Sequence, residues 1–197
     1  MKGAFIVFEG IDGSGKTTIC ERLRDELERS GRKVILTQEP THDEVGTFIR
    51  NGTVRGISQK AEALLFVADR AIHTDRIREW VGEGNVVICD RYFASTVAYQ
   101  SAPLNGESLD REWLIEMNAP VVMTPDATFL LDIDADAGMR RVTARGERSK
   151  FEDAEFQRSV RRNYLGLAEQ FGFTIIDADR AQDEVLKDVL EKIREIL

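Results

Sequence analysis

Gly10-Ile11-Asp12-Gly13-Ser14-Gly15-Lys16-Thr17 lies between the apolar run Ala4 to Phe8 and a stretch, from about Lys16 to Arg29, where Ile19, Cys20, Leu23 and Leu27 recur at helical spacing. The octet satisfies G-x-x-x-x-G-K-[ST] in full, and strand, glycine loop and helix follow in the order that motif demands. Backbone N–H groups must converge on an anion there, which calls for glycines that adopt unusual dihedrals and admit close approach. The helix that follows turns its positive end toward the same anion. The reading is a nucleotide-binding loop, with Gly10, Ile11, Asp12, Gly13, Ser14, Gly15, Lys16, Thr17 and Thr18 around the phosphates of ATP. Lys16 would reach the β- and γ-phosphates, and the Thr17 hydroxyl would ligate Mg²⁺.

Working outward, four more short apolar runs read as strands: Val34 to Leu36, Val86 to Cys89, Thr128 to Leu131 and Thr174 to Ile176. Longer amphipathic patterns separate them, from about Gln59 to Val81, from Asp136 towards Arg145, through Phe156, Val160, Tyr164, Leu167 and Phe171, and from Gln182 onward. Strands without polar alternation are buried on both faces, as in parallel sheets covered by helices. The expected fold is α/β, a three-layer sandwich around a five-stranded parallel sheet of the P-loop NTPase type, with residues 1–197 as one domain. The charged stretch Gly146 to Asp153 reads either as a solvated turn or as a mobile flap.

The chain of 197 residues is acidic, with a formal net charge of -8, the opposite of what a grip on polynucleotide backbone needs. A few well-placed cations still suffice for a small anionic ligand. Cys20 and Cys89 stand far apart in apolar settings and read as small core residues, compatible with a reducing compartment. No apolar stretch approaches the roughly 18 residues of a membrane span, and the expected location is the cytoplasm, with no membrane or nucleic-acid partner.

Val86-Val87-Ile88-Cys89-Asp90 ends an apolar strand in an acid. Ligands of open α/β sheets collect at the carboxyl ends of strands, so Asp90 is expected to hold the Mg²⁺, directly or through water. A GTPase switch would need a guanine-reading N-K-x-D, which the chain lacks. Asp43-Glu44-Val45-Gly46 matches a D-x-x-G half-signature but follows a polar segment, and is taken as coincidence.

Several further blocks, in order, carry a resemblance: FEGIDGSGKTT, Glu39-Pro40, Leu64 to Arg70 (LLFVADR), Asp90-Arg91-Tyr92, Val97 to Gln100 (VAYQ), and PDATFLLDID from Pro125. Together they make the chain similar to the thymidylate kinase family across nearly its whole length. The resemblance implies transfer of the γ-phosphoryl group of ATP to dTMP, giving dTDP and ADP, in a homodimer with an apolar helix face such as that near Trp80 at its interface. By the same resemblance Asp12 contacts the acceptor's 3′-hydroxyl, Glu39 lines the acceptor site, and Phe66 stacks on the thymine. Arg70 would read the base, Arg50 and Arg91 hold the acceptor phosphate, Tyr99 crowd the 2′ position, and Gln100 touch the base. A lid at about 140–153 would bring a catalytic arginine, Arg145 or Arg148, with Arg140 beside it. Helical position alone would instead make Phe66 a core residue and Arg70 half of a solvated pair with Asp69. Gln38 and Thr41-His42-Asp43 depart from the family pattern around Glu39-Pro40.

A monophosphate acceptor is already anionic and needs no strong base, so His42 and His73 are read as incidental. Lys16, Mg²⁺, Arg91 and a lid arginine would position and neutralise the transferring group. The rival enzyme reading is a deoxynucleoside kinase with Glu39 as base for a 5′-hydroxyl. The rival from another class is a non-catalytic ATP-binding regulator.

Overall fold

In a computed structural model, which describes residues 2–51, 57–104, 106–144 and 154–197, the strands are β1 (Ala4–Glu9), β2 (Val34–Gln38), β3 (Val86–Asp90), β4 (Ala127–Asp132) and β5 (Thr174–Asp177). They form one parallel sheet in the order β2-β3-β1-β4-β5. The helices among the described residues are α1 (Lys16–Arg29), α2 (Glu44–Arg50), α3 (Gln59–Gly82), α4 (Phe93–Gln100), α5 (Arg111–Asn118), α6 (Ala135–Ala144), α7 (Ala154–Phe171) and α8 (Gln182–Ile193). The expected parallel α/β sandwich is therefore present, and none of these helices is long and apolar enough to cross a membrane.

All six residues of β1 are buried. Because side chains alternate across a strand, Ile6 and Phe8 face one layer and Phe5 and Val7 the other. Ile6 and Phe8 join the larger core with Ile19 and Leu23 of α1, Val97 of α4, Val160 and Leu167 of α7 and Val189 of α8. Phe5 and Val7 join Ile77 of α3, Val87, Cys89 and Tyr92. Each such apolar side chain contributes roughly 1.5–3 kcal/mol by leaving water, which is why β1 and β3 carry no polar residue before the acid that ends each. Both cysteines are buried and unpaired, as read from their setting.

The sheet order places the site. From β1 the chain crosses to β2 and returns through β3 on one side, then builds β4 and β5 on the other. The reversal opens a crevice at the carboxyl end of β1, where the glycine loop emerges.

α3 carries its polarity inside out. Asp69, Arg70, His73 and Thr74 are buried, whereas Leu64 and Ile72 are exposed. Trp80, named above for the apolar face near it, is partly buried, packed against the smaller core and edge-on to the His73 ring. α2, α4 and α5 lie outside the helical patterns read from the sequence. They span seven or eight residues each, too short to display a periodic stripe. α4 is also rich in Ser, Thr and Val, which are poor helix formers, and buries Thr96 as well as Ala94, Val97 and Ala98. Tertiary packing decides its conformation.

Candidate active site

Three glycines give the loop its shape, with Gly10, Gly13 and Gly15 at φ of 146°, 81° and 87°. A Cβ on Gly13 would stand 2.2 Å from the carbonyl oxygen of Gly138, and one on Gly138 would stand 2.7 Å from that of Asp12. The two glycines thus let α6 dock directly on the loop backbone. Lys16 Nζ donates to the carbonyls of Gly10 and Ile11, 2.9 Å each, and to Ser14 Oγ at 3.3 Å. Burial, followed by the nearby Arg91 cation, brings the Lys16 ammonium down to about 8.

At the start of α1 the Thr17 hydroxyl donates to Oδ2 of Asp90 over 2.6 Å, while Oδ1 of Asp90 is buried with no hydrogen-bond partner among the described residues. A buried carboxylate oxygen left unpaired is costly unless a cation or donor takes it. A hydroxyl beside a carboxylate is also the hard-oxygen donor set that Mg²⁺ uses when phosphates and water fill its other positions. The residues present fit the ion, and Thr17 and Asp90 are the ones that would hold it. Among the described residues no cluster of three His, Cys, Asp or Glu offers a full protein cage.

Arg91 follows Asp90 directly and sits at φ 72°, the one non-glycine residue at positive φ among those described. Such strain persists only where its surroundings enforce it. Its amide donates to Phe8 O at 2.9 Å, its guanidinium pairs with Asp12, Nη1 donates to Gly10 O at 3.3 Å, and its cationic centre lies 5.3 Å from the Tyr99 ring centroid. Burial pushes the Asp12 carboxyl up, but Arg91 and then Lys16 outweigh it and hold the group below its ordinary value. The Tyr99 hydroxyl meets both Asp12 and Arg91, and burial pushes it up to about 12.

Glu9 anchors this turn from beneath. Its fully buried carboxylate accepts from Tyr92 N at 2.9 Å, Ser95 N at 3.2 Å, Ser95 Oγ at 2.6 Å and Tyr164 Oη at 3.1 Å. Burial still dominates and raises it to about 6. Sequence reading passed over Glu9; an acid ending an otherwise apolar strand, one residue before the glycine loop, was the available signal.

Beside the loop opens a cleft of about 330 Å³, lined among others by Asp12, Glu39, Phe66, Arg70, Arg91, Tyr99 and Gln100. Seven expected acceptor-site residues therefore meet in one place. Phe66 is half-buried at the cleft, not in the core, and the pair Asp69 and Arg70 is not solvated. Asp69 accepts from Thr41 N at 2.7 Å and Thr41 Oγ1 at 2.6 Å. Arg70 donates Nε to Glu39 Oε2 at 2.8 Å, with Nη2 2.7 Å from the same oxygen, and gives Nη2 to Thr96 Oγ1 at 3.0 Å and Nη1 to Asn118 Oδ1. The second N–H of Nη1 lies outside these bonds. His73, expected to be incidental, is instead buried, with Nδ1 2.9 Å from Glu39 Oε1 and Nε2 2.8 Å from Thr37 Oγ1.

Arg50 is not among the cleft-lining residues. It turns back on the carbonyls of Pro40 and Thr41, and in the amide orientation that satisfies both groups it also donates to Gln38 Oε1 at 2.6 and 2.9 Å. The departures at Gln38 and Thr41 thus belong to the bracing of this loop. Gly46 belongs there too, because a Cβ would stand 2.1 Å from Thr41 O; that close approach gives the D-x-x-G match a structural reason. Arg140 is exposed near the end of α6, and residues 145–153 of the expected lid, Arg145 and Arg148 among them, lie outside the described residues. Arg141, which sequence reading missed, donates to Ala178 O at 3.1 Å and Gly13 O at 3.5 Å, joining the loop to the end of β5.

The family model described as "Thymidylate kinase" matches residues 8–189. A relative from Pyrococcus horikoshii described as "Probable thymidylate kinase" is 44% identical over 204 residues, covering 98% of this chain and 97% of its own. Proteins with the same description from Thermococcus kodakarensis (43% identity, 98% of both chains) and Methanosarcina mazei (39%, 100% and 98%) are similar throughout.

Proposed function

The chain belongs to the thymidylate kinase family, and we propose that it transfers the γ-phosphoryl group of ATP to dTMP, forming dTDP and ADP. One observation carries this reading: Arg91 and Asp12 belong at once to the phosphate loop and to the wall of the adjacent cleft. A guanidinium between the two sites is suited to neutralise charge on a group passing from one to the other.

In this reading the glycine loop and Lys16 hold the donor phosphates, and Mg²⁺, supported by Thr17 and Asp90, neutralises them when bound. Phe66 offers a face for a base to stack on. Arg70 only donates, so it favours a carbonyl where thymine carries O4 over the amino group of cytosine. Tyr99 and Gln100 complete the sugar and base walls, and Arg50 would have to swing from its loop carbonyls to reach an acceptor phosphate. A lid arginine, Arg145 or Arg148, would add the remaining positive charge. The exposed Leu64, Ala68 and Ile72, one turn apart on α3, support a homodimer.

The bonding of Glu39 weighs against the deoxynucleoside kinase reading, because Arg70 and His73 already bond both of its oxygens, where a base would need to receive the hydroxyl proton. ADP release with dTMP, dUMP, dCMP, thymidine and no acceptor separates the readings. Stimulation by dTMP is expected. Stimulation by thymidine alone would establish the rival kinase, and indifference to every acceptor would leave a nucleotide-binding regulator.

A further inference from the structure

Two short-range periodicities meet behind the acceptor cleft. Thr37 and Glu39, two residues apart at the end of β2, point to the same side of an extended chain, and Arg70 and His73, three apart on α3, share one helical face. The pairs interlock as a ring: Thr37 to His73 at 2.8 Å, His73 to Glu39 at 2.9 Å, and Glu39 to Arg70 at 2.7 and 2.8 Å. His73 and Arg70 are each 1% exposed and Glu39 5%. We propose that His73 is a positioning residue for base recognition, acting through Glu39 to set the guanidinium of Arg70 in the acceptor cleft.

The proton inventory supports the chain of action. A carboxylate only accepts, so Nδ1 of His73 carries the proton toward Glu39. In the neutral imidazole Nε2 then accepts from the Thr37 hydroxyl, and in either form both ring nitrogens have a partner. With Oε1 held in this way, Oε2 of Glu39 is fixed where it accepts from Nε of Arg70, with Nη2 2.7 Å from the same oxygen. Thr96 and Asn118 hold Nη2 and Nη1, so bonds on three nitrogens set the plane of the guanidinium as well as its place, and among the described residues Glu39 is its one charged partner. Without His73 the carboxylate is free to rotate, and the plane of Arg70 loosens with it. His73 is absent from the lining of the acceptor cleft, where Glu39 and Arg70 stand, and borders a second cavity that Thr17 and Asp90 also line. Acting through Glu39, it should affect acceptor binding and selectivity more than ATP binding.

The inference rests on the thymidylate kinase reading, and the experiment keeps the two apart. Wild type, His73→Leu, His73→Asn and Thr37→Val are compared for KM toward dTMP, KM toward ATP, kcat and the dTMP:dCMP preference, with a thermal melt for each. Asparagine retains a donor at the place of Nδ1; leucine does not. For His73→Leu a 10- to 100-fold rise in KM for dTMP is expected, the usual scale for a lost bond to a charged group. Its KM for ATP and its kcat should stay within about 3-fold and its dTMP:dCMP preference should fall, while His73→Asn recovers most of both losses. Thr37→Val, which removes only the outer anchor, should raise KM for dTMP by about 3- to 10-fold, and it decides the matter if His73→Leu does not fold. An unchanged KM for dTMP, an equal rise in both KM values, or folded Asn and Leu variants that fail alike would overturn the inference while the wild type still phosphorylates dTMP. A wild type inert toward dTMP would overturn the functional reading first, and this inference with it.

Discussion

The Thr17 hydroxyl and the Asp90 carboxylate stand 2.6 Å apart across the mouth of the sheet, joining the first turn of α1 to the end of β3. Seventy-three residues of chain separate them, and the parallel register of β1 with β3, which pairs Phe8 with Asp90, brings them together. Because Oδ1 of Asp90 has no partner among the described residues, Asp90→Asn should weaken support for the metal more than it disturbs the fold. The Mg²⁺ concentration needed for half-maximal rate should rise about 10- to 100-fold, with the melting temperature near that of wild type. A titration of activity against free Mg²⁺ at saturating nucleotide checks this, and an unchanged requirement would remove Asp90 from the metal site.

Arg91→Ala should lower kcat/KM by several orders of magnitude, since in the proposed reaction one guanidinium would serve both sides of the transfer. The left-handed backbone at Arg91 adds a second expectation that activity cannot reveal. Alanine and glycine both remove the side chain, but only alanine keeps a Cβ in that conformation. Arg91→Gly should therefore be more stable than Arg91→Ala by about 1 kcal/mol, read from denaturant midpoints, while both are inactive.

Burial and the nearby arginine bring Lys16 to about 8. The cation exists below that value and is lost above it, so kcat/KM for ATP, which reports free enzyme, should fall as pH rises past about 8. Bound phosphates favour the charged form, and kcat at saturating ATP should hold to higher pH. Coincident basic limbs in the two profiles would contradict the assignment.

Glu9 should show itself in stability. Its folded value, about 6, lies above the ordinary 4.5 because burial disfavours the anion. A raised value means the folded state binds the proton more tightly. The associated stability is present below pH 4.5 and is lost as pH rises through 6. The difference of about 1.5 units corresponds to about 2 kcal/mol. Glu9→Gln cannot titrate, so its stability relative to wild type should increase by about that amount between pH 4.5 and 7. Parallel curves for the two ligand-free proteins would show that Glu9 does not titrate there.

Much of the site was legible before any coordinates. Lys16, Thr17, Asp90 and Arg91 stand beside motifs whose spacing is dictated by backbone chemistry, and Phe66, Tyr99 and Gln100 came from resemblance in short blocks. His73 and Glu9 were misread or overlooked because a lone polar residue in a helix or at a strand end carries no local mark of its partner. Their partners, Thr37 and Glu39 for one and Ser95 and Tyr164 for the other, are supplied by different elements. Arg50 came with the right neighbourhood and another set of bonds: loop carbonyls compete for its donors.

Order and type of the main elements were set locally, since apolar runs that cannot face water on either side must become interior strands, and the glycine pattern admits few loop conformations. Which polar groups would be buried together was settled only when parallel pairing and the docking of α3 closed distances that no spacing encodes. A buried charge is tolerated only where all of its partners arrive at once, and that is a property of the assembled chain.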